Sequence, residues 1–478
     1  MVFSNAVFLF AFLPIVLLGY YLLRGKARNY WLLLVSLFFY AWNKPEFIVI
    51  LLASIVVNYS GALAVDKAEK QLWKRLFLVA TVGFNLLMLF YFKYFNFAME
   101  ILQGILQRQI TFTEVILPIG ISFFTFQGLS YVVDVYRGDV PVQRNPFKLG
   151  MYISLFPQLV AGPIVRYVDV VKEIDDRTVT LDDFARGIRR FILGLFKKII
   201  LADTLAVTAN AIFGNDPANN TPLVAWLGIV SYSLQLFFDF AGYSDMAIGL
   251  GDMFGFHFLE NFNYPYISKS ITEFWRRWHI SLSSFFRDYV YIPLGGNRKR
   301  VYLNVAIVFL LTGIWHGAAY TFIAWGLWHG FFNLAERVVR TFRKKHNIPE
   351  PSGVGAVISG VAGHIYTLLV VIIGWVFFRA ADLHTGVEYV KSMFGLCEVT
   401  EVVYMLPNYY LDKWTVAALL VGFVMCTPAP KLLLERVQKK LPAPVYDIAR
   451  IVVLLAGLLL CVLQVASNTY SAFIYFQF

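Results

Sequence analysis

Apolar residues run along this chain in long blocks separated by short polar or basic connectors. A hydrocarbon core of ~30 Å takes about 20 apolar residues per helix. Blocks of that kind lie at 6–23, 30–43, 46–65, 76–95, 113–133, 187–213, 223–250, 301–319, 321–341, 355–378, 414–430 and 448–468. Two of them (30–43 and 414–430) are short, so the pattern predicts 11 or 12 spans. The first block has no basic region before it and no small-residue cleavage site after it, and reads as a retained span rather than a signal peptide.

Three stretches resist simple spanning. Segment 149–166 is apolar but broken by Pro157 and Pro163, which fits a re-entrant or interfacial hairpin. Such backbone persists at membrane depth only when buried in protein or lining a wet cavity. Segment 181–213 opens on a capping-box pattern, Thr180-x-x-Asp183, and then carries Lys197, Lys198 and Asp203 inside apolar sequence. Segment 252–300 is the longest stretch between spans on its side and is rich in Trp, Phe, Tyr and Arg. No large soluble domain and no halves of matching hydropathy are evident, so residues 1–478 read as a single all-α transmembrane domain.

Composition agrees. Charged residues make up 15% of the 478, against about 25% in soluble domains. The 59% apolar and 17% aromatic content excludes disorder, and the mean hydropathy is +0.63. Cys397, Cys426 and Cys461 lie too far apart for a disulfide framework or a metal site. The net charge of +11 is spread in short clusters between apolar blocks rather than gathered in one nucleic-acid-binding arm. The clusters around Arg24, Lys70, Arg144, Lys344 and Lys439 fall on one side, and loop 214–222 on the other lacks Lys and Arg. By the positive-inside rule both termini are expected outside the cytoplasm.

The sharpest local feature is a pair of echoing pentapeptides, Gly313-Ile-Trp-His316-Gly317 and Gly326-Leu-Trp-His329-Gly330, joined by an uncharged connector. With a helix start near Leu303, His316 lies ~20 Å along it, past the bilayer midplane. An ionisable residue there is a functional candidate, and His suits proton transfer near neutral pH. The same GxxxG spacing also serves close helix packing, and His329 reads as a packing or supporting residue.

In 273–300, Trp275, Trp278, His279, Leu282 and Phe286 recur at three- and four-residue steps and are expected on one helix face. Arg276, Arg277, Arg287, Arg298, Lys299 and Arg300 decorate the remainder. The segment reads either as an interfacial helix or as a receiver for a polyanionic nucleotide such as coenzyme A. Asp239 and Asp245, inside a span, are expected to pair with an Arg or Lys. Lys197 and Lys198 read equally as snorkelling side chains or as an anion-attracting wall. The chain closes with Ser467-Asn-Thr-Tyr-Ser-Ala-Phe-Ile-Tyr475-Phe-Gln-Phe478. That aromatic tail reads as an interface anchor or as a segment folding back towards His316.

Taken together, VFSNAVFLFAFLP, FPQLVAGPIVR, FFDFAGYSDMAIG, FWRRWHISLSSFFRDYVYIPLGGNR, TGIWHGAAYTFIAWGLWHG and the terminal FIYFQF run through the whole chain in order. A sequence with these motifs resembles the membrane-bound O-acyltransferase (MBOAT) family, in its bacterial alginate O-acetyltransferase (AlgI-like) branch. The resemblance implies helices around a central tunnel open to the cytoplasm and an extracellular funnel, in the bacterial inner membrane. It implies acetyl-CoA as co-substrate, with no bound cofactor and no metal. His316 matches the family's principal catalytic histidine and His279 its second. Tyr475 is the acyl-carrier candidate by analogy with a related D-alanyl system, whose separate small protein carries a similar FIY motif. Arg276, Arg277, Lys198 and Trp278 are the expected acetyl-CoA contacts, with His329, Trp315 and Asp245 as supports. An extracytoplasmic SGNH-type partner, AlgJ- or AlgX-like, would complete transfer to a polysaccharide, with an alginate-like polymer favoured over peptidoglycan or cellulose. The rival readings are a polysaccharide or lipid transporter, and a lipid or protein acyltransferase of the same superfamily.

Overall fold

Helix is the open-ended element that satisfies its own backbone in hydrocarbon, and the apolar blocks take it up almost throughout. The structure, a computed structural model, describes residues 1–398, 406–467 and 473, and among them there is no strand. Each of the twelve blocks has a helical counterpart. Among the described residues, five helices are long and apolar enough to cross a membrane, or six if one bent pair is a single span. The chain sorts into two compact units.

The first unit holds chiefly residues 1–195 and 243–260. A π-helical turn, Phe8–Phe12, leads into α1 (Leu13–Leu22). There follow α2 (Ala27–Ala41), α3 (Ile48–Lys67), α4 (Gln71–Leu106) and α5 (Ile121–Arg137). The block expected at 113–133 begins its helix only at Ile121. Next come α6 (Pro146–Ser154), α7 (Phe156–Leu159), α8 (Tyr167–Asp175) and α9 (Leu181–Phe196). Between α3 and α4, Asn58 and Asn85 exchange amide hydrogen bonds of 3.1 and 3.0 Å. Such side-chain pairs fasten helices where burial from water supplies no drive.

The hairpin expected at 149–166 is present as α6, a bend at Leu155, α7 and an extended run, all buried to Val165. Several of its polar groups are met internally: Tyr152 Oη donates to the Val165 carbonyl at 3.0 Å and Gln158 Nε2 to the Tyr152 carbonyl at 2.7 Å. The capping box at α9 is also present, with Asp183 N donating to Thr180 Oγ1 and Thr180 N to Asp183 Oδ2, each at 3.1 Å. Hydrogen bonds from the Thr180 hydroxyl and amide hold the Asp183 carboxyl down at about 2.

The second unit holds chiefly residues 196–242 and 261–464. After a π-helical turn at Lys197–Ala202 come α10 (Asp203–Phe213) and α11 (Pro222–Phe254), whose residues beyond 242 belong to the first unit. The expected single aromatic face in 273–300 is corrected by the backbone. Two short helices, α12 (Ile271–Arg277) and α13 (Ile280–Phe286), are separated by extended Trp278 and left-handed His279. Then follow α14 (Val301–His316), α15 (Tyr320–Lys345), α16 (Gly353–Arg379) and α17 (Leu383–Met393). The short block at 414–430 is no straight span either: α18 (Lys413–Met425) and α19 (Ala429–Lys440) meet at 73°, with Pro428 at the break. Helix α20 (Ala443–Ser467) closes the described run.

Helices α14 and α15 touch backbone to backbone through the echoing glycines. A Cβ on Gly313 would stand 2.5 Å from the Phe322 carbonyl oxygen, and one on Gly326 would stand 2.5 Å from that of Phe309. Neither obstacle is a side chain that can swing aside. We expect Gly326→Val to force the helices apart at about 1–3 kcal/mol, lowering the apparent unfolding temperature in detergent by several degrees. Gly330→Ala, whose added carbon would stand 3.0 Å from Phe309 Cβ rather than 2.5 Å from a carbonyl oxygen, should cost less.

Candidate active site

His316 is the last residue of α14, where the chain turns extended through Gly317. A Cβ on Gly317 would fall 2.2 Å from the Phe322 ring, so the turn has room for glycine alone. The His316 side chain is 4% exposed. Its ring centroid lies 4.8 Å from Trp315, 4.8 Å from Trp325 and 5.0 Å from Phe378. Helices α14, α15 and α16 thus each supply one wall.

His279 is brought to the same cluster from a different element. It stands 4.6 Å, edge to face, from Phe240 on α11 and 6.0 Å from Trp315. Trp315 therefore borders both histidine rings. The backbone of His279 has φ +45°, a conformation that costs a non-glycine residue about 1–3 kcal/mol and persists only where its surroundings impose it.

Those surroundings centre on Asn261. Its Oδ1 accepts from Ser281 N at 3.3 Å and from Ser281 Oγ at 2.9 Å, and lies 3.1 Å from His279 Nδ1. A backbone amide can only donate, so the Asn261 atom is the carbonyl oxygen. An oxygen acceptor in turn requires a proton on His279 Nδ1, which leaves the neutral ring's lone pair on Nε2. The side chain is preset as a proton acceptor at Nε2.

His329 differs. It is fully buried, with ring centroids 5.3 Å from Trp275, 5.2 Å from Trp325 and 6.2 Å from Trp375. A Cβ on Gly374 would stand 2.7 Å from its Nε2. Neither ring nitrogen has a hydrogen-bond partner among the described residues. It acts as an aromatic block in the packing.

The other expected residues fall in several places. Trp278 is 2% exposed and stacks between Phe274 and Trp375 in the core. Arg277 is committed to Glu273 at 2.9 Å and to the Asn263 carbonyl at 3.1 Å. Lys198 neither snorkels nor lines an anion-attracting wall. It is 4% exposed and held by Asp203 at 2.6 Å and Asp239 at 2.7 Å. Asp245 pairs with Arg190 at 3.0 Å, and both belong to the first unit. Arg276 lines an open cavity of about 960 Å³. Tyr475 lies outside the described residues, but Phe473 of the same tail is buried 6.2 Å from Phe240, the ring that backs His279. Asn261 and Phe378 lie in no quoted motif and were missed; Phe240 and Trp325 were quoted inside FFDFAGYSDMAIG and TGIWHGAAYTFIAWGLWHG without a role.

The described residues thus form an all-helical polytopic membrane protein in which two buried histidines share one tryptophan wall. The model of the membrane-bound O-acyltransferase family matches residues 141–378. The chain is 41% identical to the probable alginate O-acetylase AlgI of Pseudomonas putida over the full length of both. It is 44% identical to that of Pseudomonas aeruginosa, over 83% of this chain and 75% of the relative. A peptidoglycan O-acetyltransferase of Helicobacter pylori is 36% identical, over 83% of this chain and 80% of the relative. The chain belongs to the membrane-bound O-acyltransferase family and is an O-acyltransferase. Within that family it falls in the AlgI-like branch.

Two variants probe the supports. Asn261→Leu should release the His279 tautomer and lower acyl-transfer turnover about 10²-fold with little change in KM, while Asn261→Asp, which keeps an oxygen acceptor, retains most of the rate. Lys198→Met should remove the cation between buried Asp239 and half-buried Asp203 at a cost of about 3–5 kcal/mol, visible as a large drop in detergent stability.

Proposed function

We propose that this enzyme takes acetyl from cytoplasmic acetyl-CoA and passes it across the membrane for O-acetylation of an extracellular polysaccharide. Full-length identity to alginate O-acetylases makes an alginate-like polymer the favoured acceptor. Peptidoglycan, the polymer named for the less similar Helicobacter relative, is the second reading.

The observation that carries the mechanism is the placing of His316, His279 and Phe473 around one aromatic cluster. Coenzyme A is too polar to cross hydrocarbon, and an external polymer does not enter it, so the acetyl group needs a carrier. Tyr475 follows Phe473 by two residues, a reach of ~7 Å along the chain. In this reading the Tyr475 hydroxyl attacks the thioester carbonyl while His316 removes its proton. The C–S bond breaks, coenzyme A leaves as thiolate and takes up a proton, and acetyl remains as a phenolic ester. A phenol is a good leaving group, so an extracytoplasmic acetyltransferase partner of the SGNH type then moves acetyl onto a sugar hydroxyl. His279, with its lone pair on Nε2, supports the same transfer from the far side of Trp315. The enzyme sits in the bacterial inner membrane with both termini extracytoplasmic, as the basic connectors suggest.

With radiolabelled acetyl-CoA and purified enzyme, label should appear on the C-terminal peptide of the wild type and vanish in Tyr475→Phe. His316→Ala should slow labelling about 10²–10⁴-fold, the range for a lost general base. A His316→Ala enzyme labelling at the normal rate removes the assigned role, and a wild type that turns over without peptide label removes the carrier.

A further inference from the structure

The open cavity that Arg276 lines is walled by α12, α15 and the start of α16, and its charges are unevenly balanced. Glu336 is consumed as an acceptor for the Ile271 amide at 2.5 Å, the Thr272 amide at 3.0 Å and the Thr272 hydroxyl at 2.7 Å. Glu273 is committed to Arg277 and to the Lys269 amide, each at 2.9 Å. The lining cations Lys269, Arg276, Arg340 and Lys344 form no ion pair among the described residues. The lining holds five cations, with Arg343 the fifth, against the carboxylates Glu273, Glu336 and Glu350, a net of +2, and Glu273 and Glu350 already face Arg277 and Arg343.

A second recess, of about 580 Å³, adjoins it and shares Lys269. This one is apolar. It follows α16 along Ala356, Val357, Gly360 and Val361. Gly360 makes room for it, since a Cβ there would stand 3.3 Å from Lys269 Nζ. Val354, Val357, Ile358 and Val361 are all exposed, so this stretch of α16 carries bare apolar surface past the charged cavity. Both recesses lie within the second unit.

A cationic chamber that shares Lys269 with a largely apolar groove matches a molecule that is anionic at one end and hydrocarbon at the other. We propose that the two recesses form one site for an anionic phospholipid. Arg276, Arg340, Lys344 and Lys269 hold the headgroup phosphate, and one acyl chain lies along α16 at Val357, Gly360 and Val361. The headgroup chamber alone, about 960 Å³, is within the range of ordinary ligand sites, leaving the groove for the chain. The site is separate from the histidine cluster and does not depend on the acetyl-transfer reading. It does reassign Arg276, which the sequence placed on coenzyme A.

The test uses the full chain in phosphatidylcholine nanodiscs carrying a small fraction of phosphatidylglycerol, with retained lipid counted by native mass spectrometry. Wild type should keep a phosphatidylglycerol that Arg276→Gln/Arg340→Gln loses about ten-fold more readily. Val357→Asn/Val361→Asn, which turns the groove polar and leaves every cation in place, should lose it too, with folding of both variants checked by thermal unfolding. Water-soluble glycerophosphoglycerol, bearing the headgroup without chains, should displace it only at far higher concentration. Equal retention by wild type and both variants overturns the proposal. So does displacement by coenzyme A or by inorganic phosphate at concentrations that match the lipid, because the chamber would then serve a soluble phosphate.

Discussion

Everything at the histidine cluster rests on how closely α14 and α15 approach. Their backbones meet at Gly313 and Gly326, where carbonyl oxygens occupy the space a side chain would need. Helices in lipid gain little from apolar contact alone, because the surrounding acyl chains offer the same contact, so shape decides. Here shape is set by four glycines. With the axes so close, His316 at the end of one helix and His329 within the next are pressed among Trp325, Phe378 and Trp375, and their depth and orientation follow from the crossing.

The rest of the second unit distributes polar groups on the same principle. Each buried charge near the site has a named counter-charge, as with Lys198 between Asp203 and Asp239. Neutral groups are steered by oxygen acceptors, as with His279 and Asn261. What remains around the two catalytic candidates is aromatic, and aromatic walls exclude water while tolerating an imidazole edge. A thioester carbonyl brought there would meet a proton acceptor and little competing solvent.

The helices were readable because an apolar block in lipid needs no distant partner to declare itself. The paired WHG pentapeptides carried two readings, packing and chemistry: the glycines and His329 bear out the packing, and His316 lies buried among its own aromatic walls. The break at His279 was hidden because the aromatic spacing from Trp275 to Phe286 continues across it as though one helix ran through. Only the left-handed backbone reveals the interruption. Asn261 was hidden for another reason. It lies 18 residues before the histidine it orients, in a connector with no periodicity, so nothing local marked it. Lys198 misled because a lysine in apolar sequence suggests exposure, whereas its two acidic partners sit five residues on and on another helix.

The π-helical turn at Lys197–Ala202 has a bearing on how this protein can vary. A wide turn accommodates one residue more than an α-helical one, and each residue corresponds to ~100° of rotation. Drawn as an uninterrupted wheel, 181–213 would misplace every side chain of α10 by that angle. Deleting one residue between Lys198 and Asp203 would restore ordinary helix and leave those two one turn apart, but would rotate the rest of α10 by ~100° against its neighbours. The segment is thus less tolerant of length change than many surface loops, and chains of this kind should differ there by substitution rather than by insertion or deletion.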